Sequence, residues 1–122
     1  MSERRRLPDT RDSITRKIAI RHAAGETKIY ITVGLYEDGK PGEVFLKADR
    51  MGTSISGLLD ALAIALSIGL QSGVPLSHFT RKLANMRFEP EGQTGDPDLR
   101  YATSLVDVVA RWLEKRFPEP RP

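Results

Sequence analysis

A chain of 122 residues with 39% apolar and 29% charged residues has a globular composition, and it is too short for a catalytic barrel plus a cofactor domain. It contains no cysteine, which excludes disulfides, thiolate metal sites and thiol redox chemistry. The net charge of +3 is a mild excess gathered at the ends, in Arg4, Arg5, Arg6, Arg11, Arg16 and Lys17 and in Arg111, Lys115, Arg116 and Arg121. Such clusters attract phosphates without reading sequence; the plainer reading is a solvated tail. No Phe, Tyr or Trp lies between Arg4 and Lys17, so nucleic acid is not an expected partner. No uninterrupted apolar run of about 18 residues occurs, and no apolar stretch follows the first arginines as a secretory signal requires. The expectation is a cytoplasmic protein with no membrane contact.

In chain order, residues 1–12 read as a flexible basic lead-in. Ile14, Ile18 and Ile20 alternate with polar neighbours and predict a first strand. After the turn at Ala23-Ala24-Gly25-Glu26, the residues Ile29, Ile31, Val33 and Leu35 fall on one face of a second strand. Asp38-Gly39 within a turn-rich stretch signals a hairpin. A third strand over Glu43 to Lys47 then points Val44 and Leu46 inward and Phe45 outward.

The period changes after Gly52. Thr53 or Ser54 is suited to cap a helix, and from Ile55 to Leu70 apolar residues cover almost every helical direction, with Asp60 the only charge. Such a helix is expected to be buried on more than one side, against the sheet and against later helices or another subunit. Asp60 then needs a partner, with Arg81, Lys82 and Arg87 as candidates. Gly73 ends this helix and Pro75 opens the next, whose apolar face is Leu76, Phe79, Leu83 and Met86. Residues 87–98 read as irregular. Ser104 with Asp107 resembles a capping box ahead of a last helix with the stripe Leu105, Val108, Val109, Trp112 and Leu113, stopped by Pro118. The predicted fold is α+β: a three-stranded antiparallel meander followed by three helices packed on one face, one domain over residues 13–117, with a polar tail over 118–122.

Four separated strings stand out: Gly42-Glu43-Val44-Phe45-Leu46, the run from Ala63 to Leu76, Arg87 to Gly92, and Ala102 to Asp107. Together they resemble the C-terminal module of adenosylcobalamin-dependent (class II) ribonucleotide reductases, often called the TSCPD domain. The resemblance extends from about Arg6 to Phe117. Its naming motif is Thr-Ser-Cys-Pro-Asp, whereas here Ala102-Thr103-Ser104 continues into Leu105-Val106-Asp107; this is similar to the long-chain branch of the family. What the resemblance implies is bounded by the missing cysteines. Ribonucleotide reduction uses a thiyl radical and a redox pair of cysteines, and the full reductases carry further cysteines near their termini. A chain with none supplies neither that chemistry nor the corresponding zinc or electron-transfer sites, so it is expected not to be an enzyme on its own.

Two helix starts combine hydroxyl side chains with unpaired amides that favour anions: Arg50, Thr53 and Ser54 before the long helix, and Thr103 and Ser104 before the last. The second belongs to the strings that carry the resemblance, and the first lies in the loop between two of them. Arg87 is suited to clamp a phosphate and Phe88 or Tyr101 to stack on a base. The plainer alternatives are that Thr53 and Ser104 are only caps, that Arg87 pairs with Glu89 or Glu43, and that Phe88 belongs to the core. Other chemistry has less support. His22 and His78 show no metal spacing, no phosphate-binding glycine loop occurs, and nothing brings Glu43, Asp60 and Glu89 together as a carboxylate pair.

The expected ligand-binding set is therefore Arg50, Thr53, Ser54, Arg87, Thr103 and Ser104, with no catalytic residue, no metal and no cofactor. The expected function is that of a non-catalytic module related to the B12-dependent reductase: a homo-oligomeric, nucleotide- or phosphate-binding accessory domain. Its candidate partners are a nucleotide and a reductase catalytic subunit. The alternative is a stand-alone protein, for instance from a phage, that binds and sequesters nucleotide signals.

Overall fold

The computed structural model describes residues 4–49 and 51–119. Three long strands come first: β1 (Ser13–His22), β2 (Gly25–Leu35) and β3 (Pro41–Ala48). They are followed by α1 (Thr53–Gln71), α2 (Leu76–Leu83), the short strands β4 (Gly92–Thr94) and β5 (Tyr101–Ala102), and α3 (Leu105–Arg116). The five strands form one sheet in the order β3-β2-β1-β4-β5. The α+β class and the three-strand, three-helix succession follow the sequence expectation. The two added strands lie where an irregular segment and a turn were expected.

The chain divides into two compact units, residues 4–16 with 30–75 and residues 17–29 with 76–119. In the first, α1 packs on β3. Strand alternation places Ile31, Val33, Val44 and Leu46 inside and leaves Phe45 53% exposed. Leu59, Ala63 and Leu66 bury one face of α1. Ser67 Oγ accepts the Val44 N–H (2.9 Å) and lies against the carbonyl oxygens of Ala63 (2.8 Å) and Val44 (3.2 Å). The helix closes as a Schellman motif around Gly73 at φ 89°: Val74 N–H donates to Gly69 O and Gly73 N–H to Leu70 O. Buried Gln71 joins this end to its surroundings, donating to Gly42 O (2.9 Å) and accepting from Arg4 Nε (2.7 Å).

Three expectations for α1 are corrected. Its N-cap is Gly52, with no side-chain cap bond, so neither Thr53 nor Ser54 performs that role. Burial on more than one side is not seen: Leu58, Ile64, Ile68 and Ile55 are 67, 60, 44 and 41% exposed. Asp60 is itself exposed, so it needs no buried partner. By length and composition α1 is also apolar enough to cross a membrane, although one face of it lies on β3.

In the second unit α3 packs on α2 and β5, burying Leu105, Val108, Val109, Trp112 and Leu113 as their spacing predicts. β1 pairs antiparallel with β4 (Ile20 opposite Thr94) and β4 with β5 (Gly92 opposite Ala102). Glycine is required at position 92, because a Cβ there would stand 1.7 Å from Arg21 O. α2 ends earlier than its apolar spacing predicts: Asn85 takes φ 68° and Met86, expected on the buried face, is 43% exposed.

Candidate functional site

Asp107 is fully buried in the first turn of α3. Its carboxylate accepts the backbone N–H of Asn85 (2.7 Å) and of Thr103 (2.9 Å), and both Nε and Nη2 of Arg111 (3.0 and 2.9 Å). Burial alone would raise its pKa, but the Arg111 guanidinium and the Thr103 and Asn85 amides outweigh that and hold it below the ordinary carboxylate value. Ser104, also fully buried, caps α3 by accepting Asp107 N–H (2.9 Å). This is the capping pair the Ser-x-x-Asp spacing predicts, except that the acid reaches the amide one residue before the cap.

Thr103 transmits that rigidity to the surface. Its hydroxyl donates to Met86 O (2.9 Å) and its carbonyl accepts Phe88 N–H (3.1 Å), so both neighbours of Arg87 are pinned. Arg111 Nη2 also donates to Tyr101 O. On this frame stands an exposed group: Arg87 with a side chain 64% exposed, Phe88 at 41% and Tyr101 at 45%. Arg87 Nη1 (2.5 Å) and the Tyr101 hydroxyl (2.9 Å) both donate to Glu91 Oε2. The bond to Glu91 pushes the Tyr101 phenol above its ordinary pKa.

Two expectations change here. Phe88 is not a core residue. The partner of Arg87 is Glu91 rather than Glu89 or Glu43, and Glu43 is taken by Arg11 (2.5 and 3.0 Å). Glu91 and Asp107 are the residues that sequence reasoning passed over as site components. No local spacing announced Glu91, because a four-residue interval brings side chains together on a helix and residues 87–91 are not helical.

The other expected site lies in the first unit. Thr53 and Ser54 occupy the exposed first turn of α1, and Arg50 lies outside the described residues. The first helical bond there runs from Ser56 N–H to Gly52 O, and no acidic side chain occupies the turn. At α2, by contrast, the Glu119 carboxylate accepts Ser77 N–H (2.8 Å) and so covers that helix start. Of the expected set, the structure brings Arg87, Thr103 and Ser104 into one bonded cluster and places Thr53 and Ser54 side by side in the other unit. Among the described residues no group of three His, Asp or Glu side chains is arranged to hold a metal.

The fold and the cluster define a small α+β domain whose exposed arginine-and-aromatic loop is braced by a buried carboxylate. The chain belongs to the TSCPD domain family, which it matches over residues 3–117. It is 48% identical over 114 residues to a vitamin B12-dependent ribonucleotide reductase of Rhodopirellula baltica, a match that covers 93% of this chain and 11% of that protein. The corresponding reductase of Streptomyces avermitilis is 46% identical with the same coverage, and that of Bradyrhizobium diazoefficiens 39% identical over 93% of this chain and 9% of its own length. The chain thus spans about a tenth of the length of these relatives. No solved structure matches it.

Proposed function

We propose that this chain is a non-catalytic accessory domain of the B12-dependent ribonucleotide reductase kind, and that it binds nucleotides on the Arg87–Tyr101 loop. One observation carries the reading: Arg87 and Tyr101 converge on one carboxylate oxygen, with Phe88 exposed alongside, on backbone fixed from beneath by Thr103 and Asp107. A guanidinium supplies a forked donor for phosphate. An exposed aromatic ring supplies a stacking surface for a base, worth about 1–3 kcal/mol per base. Thr103 and Ser104 act as positioning residues in this account, since their side chains are committed to Met86 O and to the α3 cap. A loop set on a rigid scaffold is where binding residues commonly sit. The similarity to B12-dependent ribonucleotide reductases supports a reductase catalytic body as the partner, and with it a cytoplasmic setting.

A thermal-shift panel of ribonucleotides, deoxyribonucleotides, cyclic nucleotides and ADP-ribose derivatives tests this. A ligand at a hundred times its Kd stabilises by about 2.7 kcal/mol, several degrees for a domain of this size. The expected result is a shift with at least one class, abolished by Arg87→Ala while the ligand-free melting temperature stays the same. Absence of any shift contradicts the reading. A shift with cyclic nucleotides or ADP-ribose derivatives only, and no contact with a reductase, would assign the loop to sequestering nucleotide signals instead.

A further inference from the structure

The face of α1 turned away from β3 is apolar along most of its length and belongs to no site described so far. Leu58, Ile64 and Ile68 stand 67, 60 and 44% exposed on it. Gly57, Ala61 and Ala65, also exposed, recur every fourth residue between Leu58 on one side and Ile64 on the other. α1 carries no basic residue, and its single charge is Asp60 at the margin of the arc. We propose that this face is the interface of a homodimer in which two copies of α1 cross about a two-fold axis near Ala61.

Area, shape and charge select a second copy as the occupant. The first is area. Three large side chains at these exposures, with the small residues between them, amount to an apolar patch of about a few hundred Å². Pairing with an identical patch removes that area twice, approaching the roughly 1,000 Å² that a specific interface needs. The second is shape. A two-fold contact requires a surface complementary to itself. Here the ridges made by Leu58 and Ile64 flank a shallow row of Gly57, Ala61 and Ala65, so a crossing at Ala61 sets each ridge into the other copy's groove. The third is charge. With one acid and no base, α1 has no charge pattern with which to choose a partner of different composition, whereas two like faces meet with Asp60 at the wet margin.

The absence of cysteine makes a direct test available. A single Ala61→Cys substitution can form a disulfide only with its own twin, and it does so readily only if the two sites meet. Glu37→Cys, at an exposed turn, is the control. The expected results are a wild-type dimer by sedimentation at high micromolar chain, rapid cross-linking of Ala61→Cys but not of Glu37→Cys under mild oxidation, and a monomer for Ile64→Glu with an unchanged circular dichroism spectrum. If Ile64→Glu fails to fold, the cross-linking result decides. A monomeric wild type overturns the proposal, as does a dimer in which Ala61→Cys does not cross-link. Association of α1 with neutral lipid vesicles in place of dimerisation, or its protection only on adding a reductase catalytic body, overturns it as well and names the true occupant. The nucleotide reading rests on other residues, so either proposal can fail without the other.

Discussion

Asp107 is the residue whose chemistry reaches furthest. It is buried, charged and saturated with donors, the one arrangement in which burying a carboxylate is tolerable. Its folded pKa lies below the ordinary value of about 3.9. The stability it contributes is therefore fully present above that ordinary value and is lost as pH falls through the lower, folded one. Asp107→Asn keeps the shape but removes the charge facing Arg111. It should cost about 3 kcal/mol at neutral pH and should flatten the acid limb of the stability curve, both readable by urea unfolding at a series of pH values. An unchanged acid limb would mean that Asp107 is not the group that titrates. Because Asp107 holds Asn85 and Thr103, which pin the loop on either side, the same substitution should also weaken nucleotide binding without touching the ligand.

Among the elements, the three helix starts differ in ways their sequences show unevenly. The Ser104 cap of α3 was legible, because Ser-x-x-Asp ahead of an apolar stripe is a local pattern. The cap of α2 was not: Glu119 comes from beyond the end of α3, 42 residues from Ser77, and no local spacing announces it. Burial raises the pKa of Glu119, but its bonds to Ser77 and to the Leu76 amide outweigh this and lower it, as a carboxylate at a helix N-terminus should be. Glu119→Gln is expected to lower stability by roughly 0.5 kcal/mol at neutral pH, an effect that fades as pH falls through the lowered folded pKa, below the ordinary carboxylate range, where the wild type also loses the charge. Paired thermal melts at two pH values measure this. The strands repeat the lesson. β1, β2 and β3 are 10, 11 and 8 residues long, enough for alternation to be visible. β4 and β5, with 3 and 2 residues, are too short to show a period, and Gly92 reads as a breaker rather than as a point where β4 lies too near Arg21 O to admit a Cβ.

At the scale of the molecule, the sequence conveyed the order of the main elements and the family through strings of residues, whereas it conveyed burial poorly. α1 is apolar all round, and its composition alone points to burial on every side; the structure covers one face and leaves the other to solvent. The candidate site was half legible. Arg87, Phe88 and Tyr101 could be named from their types, but the convergence of Arg87 and Tyr101 on Glu91 depends on a turn and a strand pairing that bring residues ten apart together. Arg87 and Tyr101, converged in this way, form the proposed nucleotide-binding face. The most direct measurement is an amide NMR titration of the labelled protein with a mixture of ribonucleoside and deoxyribonucleoside triphosphates. The prediction is that the perturbed amides cluster at Arg87, Phe88, Glu91, Tyr101 and Thr103. Perturbations confined to the first turn of α1, at Gly52 to Ser54, or none at saturating ligand, would contradict it.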